Sequence, residues 1–184
     1  MLIFIVGFLL EGAFFLLIAS ALLRAWMNWL RINMSAQPGR FVMALTDWLV
    51  KPLRRILPKS LLQSRLDWAS MLAAGLMALL YAALLGLLSG LLGGVGFGLL
   101  ILFGLPLLAL KMLLKVALRA LFMLLLGYAV LSWVQPGSPA YGLLGRLTEP
   151  LLAPVRRLIP LVGGVDLSAL ALMLVLQVAL MVLG

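Results

Sequence analysis

The sequence contains no cysteine and no histidine, and both absences remove whole classes of chemistry. Without cysteine the chain forms no disulfide, binds no iron–sulfur cluster and has no thiol nucleophile. Without histidine it has neither an imidazole base nor a common ligand of zinc and haem. Carboxylates are scarce too, since Asp and Glu together number five. We therefore predict a protein that is not an enzyme and that has no catalytic residues, metal site or cofactor.

Charged residues of either sign are rare, and most of those that occur are basic. They make up 10% of the chain, whereas 66% of the residues are hydrophobic and the mean hydropathy is +1.27. A soluble domain is about a quarter charged and about half apolar. The 14 Lys and Arg residues give a net charge of +9 but are scattered through apolar sequence. This pattern indicates an all-α membrane protein whose cations set topology and contact anionic lipid, without direct contact with nucleic acid.

Four apolar stretches have lengths close to or above the ~20 residues that a transmembrane helix needs. The first contains no cation before Arg24, so we expect a retained span and not a cleaved signal peptide. A further stretch, 97–110, is too short to span and contains Pro106. We expect it to be re-entrant or interfacial, with a fifth span as the alternative. The four predicted spans are 2–23, 68–91, about 113–134 and 167–184.

The cations between the spans predict the orientation of the chain. The two polar loops, 31–65 and 135–165, carry ten Lys and Arg residues. Cations accumulate on the cytoplasmic side of membrane proteins, so with four spans both loops face the cytoplasm and both termini face outward. Within the third span, Lys115 and Arg119 are expected to snorkel towards the membrane surface.

An internal repeat divides the chain. Residues 46–58 and 148–160 agree at six of 13 positions, including an Arg-Arg pair and the proline that ends each segment. A tryptophan upstream and an aspartate downstream extend the match in both copies. We therefore predict two parallel repeats, each made of a span, an interfacial amphipathic helix and a second span. The predicted domains are 1–92 for the first repeat, 93–112 for a Gly- and Pro-containing connector, and 113–184 for the second repeat.

The two arginine pairs are the candidate binding residues. Arg54 and Arg55 lie beside an apolar helix face in the first repeat, and Arg156 and Arg157 do so in the second. At the depth of lipid headgroups they would contact phosphate or acidic partner proteins. The alternative is that they only anchor the orientation of the chain.

Four acids accompany these pairs. Asp47 and Glu149 each lie seven residues before an arginine, and we expect a local ion pair or a helix cap for both. Asp67 and Asp166 each precede an apolar run. They are predicted to cap the helices that follow, because a carboxylate there accepts hydrogen bonds from the unpaired N–H groups of the first turn.

One carboxylate and one amide are predicted inside the membrane. Glu11 lies ~14 Å into the first span at ~1.5 Å per residue, near the centre of the bilayer. An isolated charge at that depth costs at least ~2.5 kcal/mol. We therefore expect Glu11 to face the bundle interior and to bond with Gln177, which has a similar depth in the fourth span. The alternative is an ion or proton site.

The residues around the repeats resemble those of a known family. They comprise the spacings Arg24…Trp29 and Tyr128…Trp133, the segment 148–160, and residues 163–168, which read GGVDLS. Over nearly its whole length the chain resembles the two-repeat bacterial form of the YggT/YlmG family of small integral membrane proteins. The resemblance implies a multi-pass protein of the bacterial inner membrane without an established enzymatic activity. Relatives have been linked to osmotic stress tolerance, to division and cell envelope organisation, and in plastids to cytochrome assembly and nucleoid distribution.

These observations predict a scaffold or assembly factor of the inner membrane. It would dock anionic phospholipid and a membrane or cytoplasmic partner protein through its two basic amphipathic helices, and a homo-oligomer is compatible with this role. The alternative is a small ion transporter or channel accessory that uses Glu11 and the cations of the third span. Ion flux in proteoliposomes separates the two hypotheses.

Overall fold

The computed structural model describes residues 2–35, 38–58, 61, 64–93, 104–157 and 167–184. All regular secondary structure in these residues is helical, which confirms the predicted all-α class. The chain forms two compact units, Met1–Val116 and Ala117–Gly184, and each is described by itself. The helices are α1 Leu2–Trp29, α2 Gly39–Ile56, α3 Trp68–Gly93, α4 Leu105–Val134, α5 Pro139–Arg156 and α6 Leu167–Leu183.

Among the described residues, three stretches of helix are long and apolar enough to cross a membrane: Ile5–Trp29 in α1, Trp68–Leu87 in α3, and the whole of α4. They overlap three of the four predicted spans, 2–23, 68–91 and about 113–134. Helix α6 is also apolar, but it has 17 residues. At ~1.5 Å per residue it reaches ~26 Å, somewhat less than a hydrocarbon core of ~30 Å. A fourth span therefore stays a prediction.

Helix α4 begins earlier than the sequence predicts. The third span was expected from about 113, after a connector at 93–112, whereas α4 is continuous from Leu105 to Val134. Pro106 is compatible with this, because it lies in the first turn, where its missing N–H has no helical partner to lose. The cations in this stretch lower its hydropathy without breaking the helix. Residues 97–103 of the expected re-entrant segment lie outside the described residues.

In the first unit, α1, α2 and α3 pack against one another. Helix α3 contributes a row of buried alanines, and α1 contributes larger side chains such as Phe14 and Ile18. The rings of Phe14 and Tyr81 lie 5.2 Å apart. Small residues let two helices approach closely, which is the usual basis of helix packing in membranes. The alanines are Ala69, Ala73, Ala74, Ala78 and Ala82.

Helix α2 lies against this pair through one face. Its buried residues are Gly39, Val42, Thr46 and Val50, and they recur every three or four positions. A Cβ atom on Gly39 would come within 2.6 Å of the Met34 backbone, so only glycine fits where the helix begins. The opposite side of α2 is exposed and carries both cations and large apolar residues.

In the second unit, α5 packs against α6. Ser138 precedes α5, and its hydroxyl accepts a hydrogen bond of 3.1 Å from the Tyr141 N–H, which is a helix N-cap. Pro139 follows in the first turn, where proline is well tolerated. The core of this unit is formed by Leu125, Tyr128, Leu152, Ala169, Met173 and Leu176.

Candidate functional site

A buried arginine connects the three helices of the first unit. Arg24 lies on α1 and is 5% exposed. Its guanidinium donates hydrogen bonds of 2.8 Å to the Thr46 hydroxyl and to the Asp47 carboxylate, both on α2. Its Nε atom lies 3.9 Å from Oδ2 of Asp67, just before α3. This side chain near the end of one apolar helix therefore contacts polar groups in the middle of α2 and just before another apolar helix.

Asp67 is a second residue on which several of these contacts converge, and its side chain is 4% exposed. Its Oδ2 accepts hydrogen bonds from Arg54 at 2.6 Å and from the Ser70 hydroxyl at 2.8 Å. Its Oδ1 accepts a longer bond of 3.3 Å from the Ser70 N–H, in the geometry of a helix N-cap. Asp67 therefore joins the last turn of α2 to the first turn of α3.

Asp47 lies between two cations. Its Oδ2 is 2.8 Å from the Lys51 ammonium, and its Oδ1 is 2.8 Å from Arg24. The hydrogen bond from Lys51 lowers the pKa of Asp47 below its ordinary value, burial opposes this, and Arg24 lowers it further. We call the connected group the Arg24 network. It comprises Arg24, Thr46, Asp47, Lys51, Arg54, Asp67 and Ser70.

The Arg24 network is complete in its hydrogen bonding. Within the described residues, no buried side-chain nitrogen or oxygen is left without a partner. Buried ion pairs contribute little net stability when intact, but removing one partner leaves an uncompensated charge that costs about 3–5 kcal/mol. The network therefore fixes how α2 lies against α1 and α3.

The second unit has a related contact built from different residues. Arg156 on α5 donates a hydrogen bond of 3.0 Å to the Tyr128 hydroxyl on α4 and another of 2.8 Å to Glu149. The Tyr128 and Tyr141 rings are stacked, with centroids 5.2 Å apart and hydroxyl oxygens 3.3 Å apart. Tyr128 lies five residues before Trp133, as Arg24 lies five before Trp29. The guanidinium comes from the apolar helix in one unit and from α5 in the other.

The four predicted docking arginines fall into two groups. Arg54 and Arg156 are held by Asp67 and Glu149, respectively. Arg55 and Arg157 are exposed, as Arg54 is, but they pair with no carboxylate of the described residues. The ion pair expected between Glu149 and Arg156 forms, whereas Asp47 pairs with Lys51 and Arg24 instead of Arg54. Binding of lipid or partner by the arginines stays a prediction.

The remaining predicted residues are dispersed. Glu11 is half-buried on α1, and Gln177 is exposed on α6, in the other unit. Their pairing stays a prediction. Asp166, the counterpart of Asp67, lies outside the described residues.

The sequence interpretation missed Arg24 and Tyr128 as central residues of the two contacts. Their signal was present, because each is a polar side chain near the end of an apolar helix. Such a group needs a polar partner. Thr46 and Asp47 were candidates for Arg24, but the approach of α2 to α1 was needed to identify them.

The described residues define a protein of long apolar helices in which most ion pairs involve the two more polar helices, α2 and α5. The sequence profile of the CCB3/YggT family matches residues 2–88 and 107–184. The chain therefore belongs to the CCB3/YggT family, which confirms the resemblance inferred from its motifs.

Relatives cover most of the chain. It is 37% identical over 179 residues to an uncharacterized protein of Vibrio alginolyticus encoded in the proC 3′ region, with 97% of this chain and 92% of the relative covered. It is 34% identical over 172 residues to uncharacterized protein YggT of Escherichia coli, covering 93% and 85%, respectively. An uncharacterized Pseudomonas aeruginosa protein is 34% identical over 168 residues, covering 90% and 80%. No solved structure matches the chain.

Proposed function

We propose that the protein is a non-enzymatic scaffold or assembly factor of the bacterial inner membrane, which it crosses four times. Its α2 and α5 helices would lie in the cytoplasmic interface and dock anionic lipid and partner proteins. The observation that carries this proposal is the division of each arginine pair. One arginine is tied to a carboxylate of the protein, whereas its exposed neighbour pairs with no carboxylate of the described residues.

The outer side of α2 suits an interfacial position. Phe41, Trp48 and Arg55 follow one another at intervals of seven residues, so they share a stripe of the helix, and all three are exposed. Aromatic rings combined with cations are typical of helices that lie at the level of lipid headgroups. Because the Arg24 network ties α2 to the ends of α1 and α3, the helix is held near the depth at which those apolar helices end.

Two observations support the four-span, two-repeat arrangement. The family profile matches two stretches, 2–88 and 107–184, each of which contains one Arg-Arg pair. The loops that carry these pairs hold ten of the 14 Lys and Arg residues of the chain, which favours a cytoplasmic location for both.

The state of the acids supports a role in binding and not in catalysis. Asp47, Asp67 and Glu149 all form ion pairs. The lowered pKa of Asp47 makes this carboxylate a weaker base, whereas general bases in enzymes have raised pKa values.

A charge-matched pair of variants tests the docking function. The double variant Arg55→Gln, Arg157→Gln removes the exposed arginine of each pair and leaves the ion pairs of Arg54 and Arg156 intact. The control, Arg40→Gln with Arg146→Gln, removes one exposed cation from each of the same two helices. We expect the first variant to lose co-purified anionic phospholipid and partner protein and the control to keep them. If both variants retain lipid and partner protein equally, the arginine pairs only anchor the orientation of the chain and the docking function is wrong.

A further inference from the structure

A polar cleft lies where α1 ends and α3 begins. It consists of two adjoining cavities of about 250 and about 320 Å³ that share Asn28 and Ser64. The first is also lined by Trp29, Arg31 and Arg65. The walls of the second include Arg54, Asp67 and Trp68. We call the two cavities together the Arg31 cleft.

The charge of the Arg31 cleft favours an anion. It has three arginines and one aspartate in its walls, and Asp67 is already bonded to Arg54. No carboxylate of the described residues lies within 4 Å of the Arg31 or Arg65 guanidinium. Guanidinium groups bind phosphate oxygens in a bidentate manner, and the Asn28 amide can donate a further hydrogen bond.

The backbone of Arg31 is a second, independent observation. Arg31 has a φ of +54°, whereas every other residue with positive φ among those described is a glycine. The Ile32 N–H bonds the Met27 carbonyl and the Arg31 N–H bonds the Asn28 carbonyl, both at 3.0 Å. This is the Schellman motif, in which glycine is preferred at the position that Arg31 occupies. Residues in sparsely populated backbone conformations are common at functional sites, so this position directs attention to the Arg31 side chain.

The surroundings of the cleft point to a lipid. Trp29 and Trp68 line it, are 42% and 37% exposed, and mark the end of one apolar helix and the beginning of another. Tryptophan at such positions lies at the level of lipid headgroups. Resting on the docking function proposed above, we propose that the Arg31 cleft binds the phosphate of one anionic phospholipid headgroup between Arg31 and Arg65.

Affinity for phosphatidylglycerol tests this site. The full chain is purified in detergent, and bound short-chain phosphatidylglycerol is counted by native mass spectrometry during a titration. We expect Arg31→Gly and Arg65→Gln each to weaken binding about fivefold. Arg31→Lys should keep most of the affinity, and Arg40→Gln, an exposed cation of the same unit, should bind like the unchanged protein. Arg31→Gly should melt no lower than the unchanged protein, because glycine suits the backbone there.

Comparison with the Arg55→Gln, Arg157→Gln variant separates lipid binding in the Arg31 cleft from the docking function of the arginine pairs. If Arg31→Gly and Arg65→Gln bind as well as Arg40→Gln while Arg55→Gln, Arg157→Gln loses lipid, the cleft is not the site and the docking function stands. If none of these variants loses lipid, both proposals are wrong. If inorganic phosphate at low millimolar concentration displaces the lipid, the cleft binds a free anion and the lipid assignment is overturned.

Discussion

The Arg54 guanidinium donates a hydrogen bond of 2.6 Å to the buried carboxylate of Asp67 and so ties the end of α2 to the start of α3. Arg24 approaches the same carboxylate from α1, at 3.9 Å. Two cations on different helices therefore converge on one capping residue.

Removing Arg24 should destabilise the first unit severely. Arg24→Gln would leave Asp47 and the buried Asp67 with fewer cationic partners, so we expect a loss of about 3 kcal/mol in the free energy of unfolding. Arg55→Gln removes the same charge from an exposed site and should change stability by less than about 0.5 kcal/mol. Thermal unfolding in detergent measures both. Equal melting temperatures would show that the Arg24 network does not hold the helices together.

Acid should weaken the contact between α1 and α2. Because the folded-state pKa of Asp47 is below its ordinary value of 3.8, the unfolded chain takes up this proton first as the pH falls. Asp47 thus contributes stability above that value, and the contribution is lost as the pH falls through the folded-state pKa. The melting temperatures of the unchanged protein and Asp47→Asn should differ at pH 7 and converge below about pH 4. A difference that stays constant down to pH 3 would contradict this.

In the second unit, the hydrogen bond from Arg156 to Tyr128 can be removed by mutation without removing the stacking of the Tyr128 and Tyr141 rings. Tyr128→Phe keeps the stacked ring but removes the acceptor of the Arg156 hydrogen bond, and we expect a loss of about 1–2 kcal/mol. Tyr141→Phe should cost less, because its hydroxyl makes a longer contact of 3.3 Å. In a double-mutant cycle, Tyr128→Phe should couple to Arg156→Gln. Additive effects would exclude a direct interaction.

Glu11→Gln should leave the protein folded. The half-buried side chain keeps its size and hydrogen-bonding capacity, and the scaffold function does not use its charge. We expect an unchanged melting temperature and unchanged lipid retention. The transporter hypothesis instead requires ion or proton flux in proteoliposomes that Glu11→Gln abolishes, and detection of such flux would favour that hypothesis.

Both basic loops should be labelled from the cytoplasmic side. The chain has no cysteine, so Ser35→Cys and Gln135→Cys each provide a unique thiol at an exposed loop position. Ser138 is less suitable because it caps α5. An impermeant maleimide should label both variants in inverted vesicles and neither in intact spheroplasts. Labelling of one loop alone in spheroplasts would exclude parallel repeats.

The sequence predicted those elements that depend on local pattern. Apolar runs placed the start of α1 and both ends of α3 within about two residues, because hydropathy is a strong signal for such helices. The end of α1 was placed too early, since the helix continues past residue 23 to Trp29. The sequence placed the start of α4 too late, since Lys111 and Lys115 lower hydropathy while favouring helix formation. Hydropathy alone places the start of the helix after these lysines, whereas helix propensity allows it to begin before them, and α4 does begin before them, at Leu105.

The ion pairs were predictable only where both partners lie on one element. Glu149 and Arg156 are both on α5, and their pairing follows from sequence spacing. Asp47 has the same spacing to Arg54, yet Arg54 bonds Asp67, thirteen residues further along the chain. The choice depends on how closely α3 approaches α2, which is a property of tertiary packing and not of the local sequence.

The left-handed backbone at Arg31 has a consequence for protein engineering. A library selected for heat resistance alone should accumulate glycine at this position, because relieving the strain gains about 1 kcal/mol. Each such clone would discard a guanidinium of the cleft. Selection for thermal stability would thus favour glycine at this position, whereas selection for lipid affinity would favour arginine.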